Sequence, residues 1–228
     1  MIDAESTDIR ITTIRPESGW HLIDFKELLE YRDLFFFLVW REIKILNQTT
    51  ILGLLWALLQ PLIQIILFTI VFGKVAKVPT EGIPYVLFTT VAIIPWTYVS
   101  TSMTASSQSL ITGQSMLGKV YFPRLLFPLT PIMARLLDYG ISMLLIIVVI
   151  MYYRVEPTWN LLLFPVMIIF MMGFSAAVGT WLSAMAIRFR DVKLAMPFII
   201  RMMMYTAPIV YSASSIPEKY RILYSLNP

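Results

Sequence analysis

Hydrophobic and polar positions separate sharply along this chain of 228 residues. Three uncharged stretches, 51–73, 83–118 and 157–187, each exceed the about 20 residues that a helix needs to cross a bilayer. Two more, 133–153 and 194–214, reach that length if a few internal charges are allowed. A backbone in lipid must satisfy its own hydrogen bonds, which favours helices. The pattern predicts an all-α integral membrane protein with five spans, at about 51–73, 83–105, 133–153, 160–186 and 194–214.

The N-terminal part divides into two predicted segments. Residues 1–23 form a polar lead, and residues 24–47 contain neither Pro nor Gly, which predicts a helix. Within it, the apolar run Leu34–Trp40 is too short to span, and its charged flanks favour an amphipathic helix in the membrane interface. The alternative is a soluble core helix, although the chain offers no soluble domain to bury it.

Charge and composition narrow the classes of function. The chain has no Cys and only one His, His21, which excludes thiolate metal sites and histidine clusters. Its net charge of +4 comes from the short segments between spans, so we expect no nucleic-acid partner. With the N-terminus inside, eleven basic residues fall in interior segments and five in exterior ones. This bias predicts a cytoplasmic N-terminus.

Three local patterns are candidates for functional motifs. One has no expected function, and the other two predict mainly contacts between helices. Gly113–Lys119 has Walker A spacing, but Val120 follows where a Ser or Thr should hold Mg²⁺, and no strand precedes it. We therefore expect no nucleotide site in this chain. Small residues at Ser175, Gly179 and Ser183 predict a close helix–helix contact. The hydroxyls of 97–109 are expected mostly in packing, with a wet polar path as the alternative.

Helix interruptions and charges inside the spans need partners. Pro61 frees a backbone carbonyl, which a neighbouring helix or a polar side chain can satisfy. Arg135 and Asp138 are three residues apart, which predicts an ion pair on one helix face, near the cytoplasmic end of its span. Arg201 has no local acid, so it should face protein or a polar cavity. Structural and functional roles for it both remain open.

An ordered set of short motifs resembles the ABC type-2 polysaccharide export permeases. The set spans about residues 31–228 and comprises Tyr31–Leu34, Trp40–Glu42, Gly53–Pro61, Phe72–Lys74, Pro84–Tyr85, Lys119–Arg124, Phe189–Val192, Ala207–Tyr211 and Asn227–Pro228. The resemblance implies a homodimeric permease in the bacterial cytoplasmic membrane, working with two separate ATPase subunits that bind ATP and Mg²⁺. No cofactor is expected in this chain. The exported substrate would be O-antigen, capsule or teichoic acid on a polyprenyl-diphosphate lipid.

The resemblance also assigns roles to segments. Residues 48–228 would form the transmembrane domain, with cytoplasmic coupling loops at 106–124 and 187–193 and an external gate segment at 212–228. The family has six membrane helices, so five predicted spans suggest a truncated chain. Residues expected to couple to the ATPase are Thr112, Gln114, Ser115, Met116, Lys119, Arg124, Arg190 and Asp191.

The chemistry of the substrate that the resemblance implies suggests candidate residues for binding it. A diphosphate needs cations near the inner leaflet, and a sugar chain needs flat aromatic faces, although most aromatic residues would form an interface belt. The head-group candidates are Arg32, Arg41 and Lys44. The candidates for the glycan path are Trp40, Tyr98, Phe170, Phe174 and Trp181.

Other classes of transporter and enzyme stay open. A drug or antibiotic exporter of the same class is the closest alternative, and the interface-helix motif with Phe122–Arg124 favours polysaccharide. A secondary transporter would need an intramembrane acid relay, but Asp138 is the only acid within a predicted span. A membrane-embedded glycolipid enzyme would need paired carboxylates, and the acids of 24–33 have the spacing of a solvated helix face.

Overall fold

A computed structural model of the chain describes residues 25–48, 52–80, 82–118, 121–156 and 159–211, and the regular structure in those ranges is entirely helical. The predicted polar lead, 1–23, and the predicted gate segment, 212–228, lie outside them. Four described helices are long and apolar enough to cross a membrane.

The predicted interface helix forms as two consecutive helices, α1 (Phe25–Glu30) and α2 (Arg32–Gln48). Hydrogen bonds continue across the junction, because the Tyr31 amide donates to the Glu27 carbonyl at 3.2 Å. One face of α2 packs on the bundle through Leu38, which is 1% exposed. Phe36, Phe37 and Trp40 remain exposed. The helix therefore packs on the bundle by one face and leaves bulky apolar side chains exposed.

The first four predicted spans form helices, with shifted ends. They are α3 (Leu55–Phe68), which continues as a π-helix (Thr69–Val75), α4 (Tyr85–Thr112), α6 (Leu126–Tyr153) and α7 (Phe164–Arg188). A short helix α5 (Gln114–Leu117) follows α4, and a 3₁₀ turn (Trp159–Leu163) precedes α7.

Two of these helices extend into regions that the sequence assigned otherwise. α4 continues to Thr112, seven residues into the predicted coupling loop 106–124. α6 begins seven residues before the predicted start at 133. Pro128 does not prevent this, since a proline in the first turn removes no helical hydrogen bond.

The fifth predicted span has the wrong limits. The helix there, α8 (Arg190–Thr206), starts four residues before 194 and ends eight before 214. It ends because Ala207 precedes Pro208 and is extended, with φ −88° and ψ 152°. The predicted loop 187–193 shrinks to Phe189, an extended residue between α7 and α8.

α4 is the central helix of the bundle. It runs antiparallel to α6, since Leu110 packs beside Leu126 while Tyr98 stacks on Tyr139 with ring centroids 5.2 Å apart. Against α7 it makes the predicted small-residue contact, in which Ser175, Gly179 and Ser183 are all buried. α4 and α7 end, and α6 and α8 begin, at the same end of the bundle, called here the α5 end.

Candidate functional site

A groove of about 680 Å³, lined by both polar and apolar side chains, lies open between α3, α4, α6 and α8. Its walls carry amides, hydroxyls, two guanidinium groups and two aromatic rings, contributed by Gln64, Trp96, Ser100, Thr101, Thr104, Gln108, Arg135, Arg201 and Tyr205. Such a lining is unusual between apolar helices, because polar groups within a bilayer are costly unless they serve a partner.

Two hydroxyl groups of α4 that line the groove donate their protons to carbonyl groups of α4 itself. Thr101 donates to the Thr97 carbonyl and Thr104 to the Ser100 carbonyl, each at 2.7 Å. A hydroxyl has one donor and two acceptor lone pairs, so these oxygens can still accept hydrogen bonds. They offer the groove a row of acceptors suited to a ligand rich in O–H groups.

A second, smaller cavity of about 230 Å³ adjoins the groove, between the end of α2 and helices α3, α4 and α6. The predicted ion pair forms here, with Arg135 Nη1 3.0 Å from Asp138 Oδ2. Tyr98 and Tyr139 also line it. Tyr98 donates to the Ile132 carbonyl at 3.3 Å, whereas the buried Tyr139 hydroxyl has no hydrogen-bond partner among the described residues.

Arg135 lines both spaces, and so connects them. It lies nine residues into α6, about 13 Å along an axis that rises about 1.5 Å per residue. The pair is therefore farther from the start of its helix than the sequence suggested, because α6 begins at Leu126. Arg201 is exposed and lines the groove.

The described coupling candidates lie at the α5 end. Thr112, Gln114, Ser115, Arg124 and Asp191 are exposed there, and Met116 is half-buried. Lys119 lies outside the described residues, and of Arg190 the backbone alone is described.

Gly113 is the hinge between α4 and α5, and it lies against the ring of Phe127. A Cβ atom at Gly113 would be 2.7 Å from Phe127 Cδ1. The Arg41 guanidinium of α2 reaches the same region, where Nη1 is 3.7 Å from Met116 Sδ. Sequence motifs did not indicate either contact, because both join residues far apart in the chain.

The three head-group candidates have different surroundings. Arg32 and Lys44 are exposed, and Arg32 Nε is 3.7 Å from Asp33 Oδ1. Arg41 is half-buried, and its buried Nε atom has no hydrogen-bond partner in the part of the chain that the structure describes. The bundle therefore holds Arg41 and leaves the other two cations at the surface.

The aromatic candidates for the path are not brought together. Of the five, Tyr98 alone lines the cavity, and none lines the groove. Trp40, Phe170 and Trp181 are exposed, and Phe174 packs partly into the core. Groove residues that sequence reasoning missed include Trp96 and Tyr205. The signal in the sequence was the polar run 97–109. Its hydroxyls take part in helix packing, where Ser102, Ser106 and Ser107 are buried, and also line the groove, as Thr104 does.

Comparison with known proteins supports one family. Residues 33–228 match the model of the ABC-2 type transporter family. The chain is 29% identical over 205 residues to the O-antigen export system permease protein RfbA of Myxococcus xanthus, covering 89% of this chain and 78% of that protein. It is 27% identical over 200 residues to RfbA of Klebsiella pneumoniae, covering 86% and 75%. Its apolar helices and this match over most of its length agree: the chain belongs to the ABC-2 type transporter family.

Proposed function

We propose that this chain is the transmembrane permease subunit of an ATP-driven exporter that moves lipid-linked polysaccharide across the bacterial cytoplasmic membrane. The observation that carries the proposal is the groove between α3, α4, α6 and α8. Hydroxyl acceptors and amides can pair with sugar hydroxyls, and the rings of Trp96 and Tyr205 offer flat apolar faces. The relatives named as O-antigen export permeases point to the same substrate class.

ATP hydrolysis belongs to separate subunits in this proposal. Two ATPase subunits, carrying ATP and Mg²⁺, would dock on the cytoplasmic face at the α5 end, which puts the N-terminus in the cytoplasm. The exposed residues of α5 and of the start of α8 suit a docking surface. Because Arg41 contacts Met116, a movement of α5 would be transmitted to α2.

A second copy of the chain would complete the path. The groove is open along one side, and a homodimer would enclose it between two permease subunits. Phe170 and Trp181 are exposed on the outer face of α7, so they contribute to the path only if the second copy covers that face. Arg32, Arg41 and Lys44 remain the candidates for first contact with the lipid head group.

Deletion of the gene in its source bacterium tests the proposal. We expect the surface polysaccharide to disappear while its lipid-linked form accumulates inside the cytoplasmic membrane, and a plasmid copy to restore export. Normal surface polysaccharide together with new sensitivity to a small toxic compound would instead identify a drug exporter and contradict the proposal.

A further inference from the structure

The groove has an unbalanced positive charge. Among the residues that the structure describes, Arg135 and Arg201 line it, and no acidic residue does. Asp138 pairs with Arg135, but it lies on the wall of the smaller cavity. In the described part of the chain, Arg201 has no ion-pair partner. One cation in the groove is therefore uncompensated.

The two arginines lie at comparable distances from the starts of their helices. Arg201 is eleven residues into α8, about 16 Å along its axis at about 1.5 Å per residue. Arg135 is about 13 Å into α6, and both helices begin at the α5 end. An Arg near the centre of a membrane helix costs about 2.5–3.5 kcal/mol on insertion scales. That cost applies to Arg135 in α6, one of the four helices that can cross a membrane, and Asp138 offsets part of it, so the uncompensated charge in the groove is that of Arg201. A ligand of opposite charge would compensate it.

The hydrogen-bonding groups that line the groove indicate that the ligand carries a negative charge. The hydroxyls of Thr101 and Thr104 already donate to their own helix, so their free lone pairs repel an anion and suit sugar hydroxyls. The guanidinium groups are donors only. The groove thus has one zone for neutral sugar and two strong donors for an anion. Guanidinium forks match phosphate oxygens in bidentate geometry.

We propose that Arg135 and Arg201 together form an anion site that holds the diphosphate of a polyprenyl-linked substrate inside the groove. This rests on the proposed function and goes beyond it, because it places the head group within the membrane domain. Asp138 then positions Arg135 through their ion pair, and the hydroxyls of α4 receive the first sugars.

Lipid binding to the purified, full-length permease with its ATPase, in nanodiscs, tests the site. The probes are undecaprenyl diphosphate, undecaprenyl monophosphate and undecaprenol, with inorganic pyrophosphate as competitor. We expect Arg201→Gln to weaken binding of the diphosphate lipid by about tenfold or more, as for loss of a charged hydrogen bond. Undecaprenol should bind equally to both proteins, and Arg201→Lys should retain part of the affinity.

Matched variants separate the site from general damage. Arg154→Gln removes a cation at the far end of α6 and should leave binding unchanged. Arg135→Gln alone leaves Asp138 unpaired, so the double variant Arg135→Gln/Asp138→Asn keeps a neutral pair and should also weaken diphosphate binding. An intact Arg201→Gln complex with wild-type affinity for the diphosphate lipid overturns the site.

The same experiment distinguishes the site from the transport function. If wild-type protein exports polysaccharide but binds all three lipids equally, the anion site is wrong and the proposed function stands. Binding of inorganic pyrophosphate without binding of the diphosphate lipid also overturns the site, since the anion would then be a free one. If deletion of the gene leaves export intact, the proposed function fails whatever the lipid affinities are.

Discussion

The Ser142 hydroxyl of α6 lies 2.7 Å from the carbonyl oxygen of Ala57 in α3. That carbonyl would normally accept the amide proton four residues later, but residue 61 is proline and has none. The same hydroxyl is 2.8 Å from the Asp138 carbonyl of its own helix. A neighbouring helix thus satisfies the acceptor that Pro61 leaves free, as the sequence predicted, and this contact fixes α3 against α6.

Replacing Ser142 by Ala should destabilise the bundle by about 1 kcal/mol. An interhelical hydrogen bond in a membrane contributes about 0.6 kcal/mol on average. Leaving a buried polar group without a partner costs about 1–3 kcal/mol, and the expected value combines the two. Unfolding in mixed micelles measures it. In a Pro61→Ala background the amide proton is restored, so Ser142→Ala should cost less there. Equal costs in the two backgrounds would show that the contact contributes nothing.

Gly179 is the point of closest approach between α4 and α7. A Cβ atom there would be 2.7 Å from Ser106 Cβ, so Gly179→Ala should cost about 1–3 kcal/mol, as overpacking does. Gly173→Ala is the control on the same helix, because its Cβ meets nothing within 4 Å. Ser106→Gly should rescue Gly179→Ala. Similar stability of the two single Ala variants argues against the contact.

Gly113 permits α5 to turn beneath the Phe127 ring. Gly113→Ala would force the ring or α5 to move, at about 1–3 kcal/mol of overpacking, and we expect less transport for each ATP hydrolysed. Gly118→Ala is the control, since its Cβ has its nearest neighbour at 3.9 Å. The ratio of transport to hydrolysis in vesicles is the measurement. An unchanged ratio in Gly113→Ala would remove this hinge from the coupling pathway.

Replacing Arg41 and Lys44 in turn distinguishes two roles for α2: contact with α5 and binding of the lipid head group. Arg41→Ala should weaken stimulation of ATP hydrolysis by the lipid substrate. If Arg41 acts through its contact with Met116, Lys44→Ala should have no effect, because Lys44 is exposed. Equal losses in both variants would instead support a shared head-group role. Wild-type stimulation in Arg41→Ala would exclude this residue from both.

Local patterns predicted the elements well, because apolar length, small-residue spacing and an i, i+3 ion pair depend on neighbours in sequence. The seam at Gly179 and the pair of Arg135 with Asp138 follow from spacing alone. The end of α8 was predicted too late, since the apolar composition of 194–214 outweighed the restriction that Pro208 places on Ala207.

The groove could not be predicted to the same degree. It depends on which faces of α3, α4, α6 and α8 meet, and no short pattern encodes that. Aromatic content suggested Phe170 and Trp181, but both lie on the face of α7 opposite its buried seam. For Arg201, the sequence indicated that an unpaired charge needs protein or a polar cavity beside it, and it could not indicate which helices would form the groove that this residue lines.

Transport in reconstituted vesicles tests the central claim most directly. The permease and its ATPase are inserted together, lipid-linked polysaccharide is supplied on the face carrying the ATPase, and its arrival on the opposite face is measured with a glycan-specific probe. We predict arrival that requires ATP and falls in the Arg201→Gln variant. An assembled complex that hydrolyses ATP, yet moves no polysaccharide under these conditions, would contradict the account.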